Sequence, residues 1–265
     1  MTGGMRLELA RLLGWRRWLG AGAVLAGAAL VISDQLMAEG ERRVVNQWDV
    51  VMTGLNQSIT VPFLLVPLFV ALVGDVLIAD RHAPFALLSV PRAPSRGRWW
   101  MWKLGALAAA ALLFALLAAF VFAAIGALRT RVGWAFSTFA AAPRPLLNRF
   151  FAPPPIGVFP PGGILLVAGY FGLALAAYAA PIMAVSLWWP RPWLPLAISL
   201  ALAMVFYRVP VTNMFHPVGN LIWSMHSLTL GYGVAIRWWA SATFFAAELA
   251  GAYLIGRLVL ATGDL

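Results

Sequence analysis

Leu104–Leu128 reads LGALAAAALLFALLAAFVFAAIGAL, 25 residues without a charge, held between Lys103 and Arg129. Wound as a helix at about 1.5 Å per residue, such a stretch is longer than the ~30 Å hydrocarbon core of a bilayer. Lipid offers the backbone no hydrogen-bond partner, and a helix satisfies its own amides and carbonyls. The stretch therefore reads as a membrane-crossing helix. The rest of the chain agrees, because 62% of its 265 residues are hydrophobic and only 11% are charged. A soluble domain has about 25% charged residues. There is too little polar surface here to cover a water-soluble body, which excludes an ordinary cytosolic enzyme and any disordered or fibrous class.

Outward from that helix, five further apolar segments predict crossings near 18–37, 59–79, 163–188, 192–207 and 238–256. Six crossings put both termini on one side. A cleaved signal peptide competes for the first segment, since Arg16-Arg17 precedes an apolar run. Its lead-in is long, however, and no small residue stands at position 36 before Ala38. The first crossing is therefore read as retained. No internal repeat is visible and no loop is long enough for a soluble domain, so residues 1–265 read as one all-α, polytopic membrane domain.

The net charge of +10 comes from 18 Arg and one Lys against nine acids. Most basic residues sit at the ends of apolar runs, as membrane topology requires, so no nucleic-acid partner is expected. With the N-terminus cytoplasmic, the first hairpin is well biased. Arg6, Arg11, Arg16 and Arg17 precede it, only Arg42 and Arg43 follow the first crossing, and Arg81, Arg92, Arg96, Arg98 and Lys103 follow the second. Over the whole chain the inside total is 11 and the outside total eight, the latter swollen by Arg129, Arg131, Arg144 and Arg149. N-in, C-in is the expected orientation. Before the first crossing, Met5, Leu9, Leu12 and Leu13 share an arc at ~100° per residue, with Glu8 and Arg11 on the far side. This segment reads either as a helix lying in the membrane interface or as a basic flank that fixes topology.

Chemistry-bearing patterns are few. No His-Glu-x-x-His or Gly-x-Ser-x-Gly motif occurs, and no phosphate-binding Gly-x-x-x-x-Gly-Lys-Ser/Thr loop. His82, His216 and His226 all fall in connecting segments, unsuited to gripping haem between helices, and there is no cysteine. No cofactor or metal is expected. Two acids lie within apolar segments. Asp75 is close enough to the inner face to pair with Arg81, whereas Glu248 is near the middle of the sixth crossing and either lines a substrate path or bonds a neighbouring helix. Residues 209–236 are uncharged but broken by Pro210, Pro217, Gly219, Gly231 and Gly233. They predict a re-entrant hairpin on the outer side between the fifth and sixth crossings, or a loop resting on the membrane.

The connection between the second and third crossings is the most informative. It opens with Asp80-Arg81, continues through the apolar Phe85–Val90, and is stopped by Pro91 and Pro94. Ser95 is placed to cap the next helix, and Trp99, Trp100 and Trp102 suit the headgroup layer with Lys103 as anchor. On composition alone this is a topogenic basic loop with an aromatic belt. Asp80, Arg81, Pro94, Ser95, Arg96 and Lys103 nevertheless stand in a pattern that resembles the cytoplasmic loop of type-2 ABC exporter permeases. Those proteins place an acid–base pair after the second crossing, then a short coupling helix, then a Ser-Arg turn into the third. Ala83-Pro84 departs from the family, which often has Gly-Thr there.

The resemblance implies an interfacial N-terminal helix, a cytoplasmic coupling helix and a location in the bacterial cytoplasmic membrane. It further implies an ATPase subunit on a separate chain, where ATP binds, and a second permease subunit completing a dimer. Asp80, Arg81, Phe85, Leu88, Arg92, Ser95 and Arg96 would then form the junction with the ATPase, while Glu248 is the substrate-path candidate by its place inside a crossing. The chain itself is expected not to be an enzyme. The alternative is a non-catalytic structural or binding membrane subunit of another complex.

Overall fold

The computed structural model describes residues 3–39, 45–56, 60–82, 95–135, 137, 160–189, 191–208 and 238–262. Helices account for most of them: α1 (Gly3–Leu12), α2 (Trp15–Glu39), α3 (Gln47–Asn56), a π-helical turn (Val61–Leu65) running into α4 (Val66–His82), α5 (Arg96–Arg129), α6 (Pro160–Ser186), α7 (Leu194–Arg208) and α8 (Trp238–Thr262). Among the described residues there is no strand, and Asn46 and Arg131 form an isolated bridge.

The helices fall on the six expected apolar segments, with shifted ends. Three are long and apolar enough to cross a membrane: Trp15–Ala38 in α2, the whole of α5, and Gly162–Ser186 in α6. Phe63–Gly74 and Leu194–Met204 are shorter apolar helices. The surface is that of a membrane protein. Val24, Leu30 and Val31 on α2, Leu112, Leu113 and Phe120 on α5, and Leu254 and Leu258 on α8 all stand exposed. Apolar exposure on this scale is unfavourable in water and suits contact with lipid.

Helix α5 is the centre, packed against α1, α2, α3, α6 and α8. Its inward residues recur at intervals of three and four: Ala106, Ala110, Ala111, Phe114, Ala115, Ala118 and Phe122. Alanine lets neighbouring backbones approach closely, which matters because lipid supplies no hydrophobic drive between helices. At the tightest point on α6, a Cβ on Gly172 would lie 2.9 Å from the Leu112 Cα. Gly172→Ala should therefore force α5 and α6 apart and lower the melting temperature in detergent, whereas Gly169→Ala on the same helix, with open space at its Cβ position, should not.

The helix of the second segment is described from residue 60, close to the expected start near 59. Ahead of it stands a helix that the reading did not place: α3 packs on α5 with Gly54 against the Phe122 ring. Asn46 and Asp49 explain where α3 starts. The Trp48 amide donates to Asn46 Oδ1 at 3.0 Å and the Asn46 amide donates to Asp49 Oδ2 at 2.8 Å. This is a reciprocal capping box, the strongest local start signal a helix has.

The N-terminal helix also differs from its reading. Glu8 was expected on the face away from the apolar arc, yet it is buried, with Leu12 one turn on. Met5, Glu8 and Leu12 form the face that meets α5. The reason is Lys103, buried on α5, whose charge makes an acid at position 8 more favourable there than a leucine would be.

Candidate functional site: the head of α5

The first two turns of α5 hold most of the described residues of the loop that the sequence singled out. Ser95 caps the helix as expected, accepting the Arg98 amide at 3.1 Å on Oγ. Arg96 Nη1 donates to the Leu260 carbonyl at 2.7 Å, bonding an acceptor near the end of α8. Trp100 Nε1 donates to the Ala252 carbonyl at 3.2 Å, and Gly256 leaves room for its ring. Trp99 and Trp100 are thus packed inside the protein, at 4% and 1% exposure, and do not face lipid headgroups.

On the opposite side Lys103 is also inward. Its Nζ meets Glu8 Oε2 at 2.8 Å and lies 4.6 Å from the centre of the Trp99 ring. Arg11 Nη1 is 3.9 Å from the same carboxylate oxygen. Trp102 covers Gly4, and Met5 Sδ approaches the position of a Gly105 Cβ to 3.0 Å. The corner from α1 into α2 is fixed by Trp18 Nε1 donating to the Leu12 carbonyl at 2.9 Å. Helices α1 and α8 therefore clamp the head of α5 from two sides.

Asp80 and Arg81 lie on the last turns of α4. Phe85, Leu88 and Arg92, together with the expected coupling helix, fall outside the described residues, as do Pro94 and the expected outer hairpin. Of the predicted set, Ser95 and Arg96 are brought together on α5, and both are occupied with holding helices.

Glu248 is half-buried on α8, within electrostatic reach of the Tyr178 hydroxyl on α6. That hydroxyl donates to the Ser199 carbonyl of α7 at 3.4 Å, and Ser199 is itself fully buried. Three helices thus place polar groups together inside an apolar bundle. Such groups are expensive in lipid and mark a path or a packing contact.

The other end of the bundle carries a polar clasp that sequence reading missed. Asp49, fully buried, accepts from the Asn46 amide and from Ser137 Oγ, each at 2.8 Å. Gln47 exchanges two bonds with the backbone of Gly133, at 2.6 and 2.9 Å, and Trp48 Nε1 donates to the same carbonyl at 2.7 Å. Asn46 Nδ2 donates to the Ala135 carbonyl at 2.7 Å. The Asn46-x-x-Asp49 spacing was the available signal. The clasp also gives Arg131 a place, its amide donating to the Val45 carbonyl at 3.3 Å, and next to it Arg129 pairs with Asp34. That pair is exposed on both sides, so Asp34→Asn should change stability by less than about 1 kcal/mol in a detergent melt.

Among the described residues no group of three or more His, Asp or Glu is placed to hold a metal ion. No protein-family model matches the chain, and comparison with the curated proteins and the solved structures gave no match.

Proposed function

We propose that this chain is the permease subunit of an ATP-driven ABC exporter of the type-2 kind. It crosses the bacterial cytoplasmic membrane six times with both termini inside, and a separate ATPase subunit drives it. The observation that carries the reading is the Asp80–Lys103 connection, whose far end enters a helix head clamped by α1 and α8. Closure of two ATPase subunits would press on residues 85–90, and the clamped head would pass that displacement to the central helix as a rigid-body tilt. Two copies, or one copy and a sister permease, would enclose the path. Glu248, Tyr178 and Ser199 are the polar groups available to face it.

The alternative reading, a non-catalytic structural or binding subunit of another membrane complex, draws support from Arg96. Its guanidinium bonds the Leu260 carbonyl, which gives a residue of the motif a structural task. Purification of the chain from its native membrane separates the two. The permease reading expects a nucleotide-binding subunit to co-purify in stoichiometric amount, and a stable complex without one contradicts it.

A further inference from the structure

Beside the clamp, an open groove of ≈ 480 Å³ lies between the head of α5 and the end of α8, lined by Ser95, Gly97, Arg98, Met101, Tyr253 and Arg257. Arg98 and Arg257 are both exposed, and among the described residues neither has an ion-pair partner. Arg96 and Lys103, their neighbours in the same head, are by contrast bonded to a carbonyl and a carboxylate. Two free guanidinium groups in one concave site make an anion site, because that fork of donors matches phosphate oxygens.

The depth of the groove indicates where the anion comes from. Helix α5 has 34 residues, about 51 Å at 1.5 Å each. The uncharged Leu104–Leu128 fills the ~30 Å hydrocarbon core, which leaves Arg96–Lys103 at headgroup level. Arg257 stands at the same level, since its Nε is 3.9 Å from where a Gly97 Cβ would be. Met101 adds an apolar wall that is 53% exposed, and Tyr253 adds a phenol hydroxyl. Ser95 Oγ accepts from the Arg98 amide and keeps its own proton to donate. A site with two cations, hydroxyl donors and an apolar wall at the membrane interface suits a lipid that carries phosphate and acyl chains together.

We infer that the groove between α5 and α8 binds the phosphodiester headgroup of an anionic phospholipid, with Arg98 and Arg257 as its cationic ligands. The site does not depend on the transport reading. Titration of the detergent-purified full chain with phosphatidylglycerol, followed by native mass spectrometry, tests it. Wild-type protein should retain phosphatidylglycerol in preference to phosphatidylcholine. The R98Q/R257Q variant should bind it about 30-fold more weakly, corresponding to about 1 kcal/mol for each basic group, while R98K/R257K keeps most of the affinity. If R98Q/R257Q fails to fold, as judged by circular dichroism, Tyr253→Phe with its single lost hydroxyl should still weaken binding. Equal retention of both lipids, or unchanged binding by R98Q/R257Q, overturns the inference. So does displacement of the lipid by millimolar inorganic phosphate, which would mark a soluble-phosphate site.

Discussion

Lys103→Met should destabilise the protein by about 3–5 kcal/mol, the range found when one partner of a buried ion pair is removed. Glu8 would be left in a site where its side chain is 4% exposed, with Arg11 at 3.9 Å as the remaining cation. The cost should appear locally first. Helix α1 would lose its attachment to α5, and trypsin would cut at Arg6 and Arg11 before the bundle unfolds. The double variant E8L/K103M should recover most of the stability, because an apolar pair of similar volume needs no desolvated charges. Thermal melting in detergent, read by circular dichroism alongside the trypsin time course, gives both numbers. A Lys103→Met protein as stable as wild type would mean that the pair does not hold α1 in place.

Asp49→Ala should cost about 3–6 kcal/mol at the other end of the bundle. The carboxylate is fully buried and accepts from the Asn46 amide and the Ser137 hydroxyl, and hydrogen bonds to a charged acceptor are worth about 1.5–3 kcal/mol each. Its loss also removes half of the capping box that starts α3. Asp49→Asn retains an acceptor for the Asn46 amide and should lose about half as much. Backbone hydrogen exchange at Asn46 and Trp48 would report the change directly, with faster exchange in Asp49→Ala than in Asp49→Asn. Equal protection in the two variants would count against the clasp.

The helical character of this chain was legible because bilayer length and charge-free runs are local properties. Leu104–Leu128 needs no tertiary information to be read as a helix, and Ser95 caps it through an oxygen three residues from the amide it accepts. What sequence reading missed depends on distant partners. Glu8 was assigned to the outer face by an arc of leucines, and nothing within α1 announces that Lys103, 95 positions away, will meet it. Trp99 and Trp100 were read as headgroup residues because aromatics gather at interfaces, whereas Gly256 and the Ala252 carbonyl draw Trp100 inward. Helix α3 was readable in Asn46-x-x-Asp49, a start signal that a search for charge-free runs of bilayer length passes over.

The absence of native cysteine gives the transport reading a direct measurement. A single Leu88→Cys placed in the Phe85–Val90 segment, in membranes that contain the native neighbours, should form a crosslink to a nucleotide-binding subunit through a short thiol-anchored photoreactive reagent, which inserts into whatever residue lies beside it. The yield should change when ATP and vanadate are added. Val132→Cys, exposed at the opposite end of the bundle, should give no such product. A crosslink to a nucleotide-binding chain from position 88 alone is the result the account predicts; its absence from position 88, with the protein folded and its partners present, would contradict it.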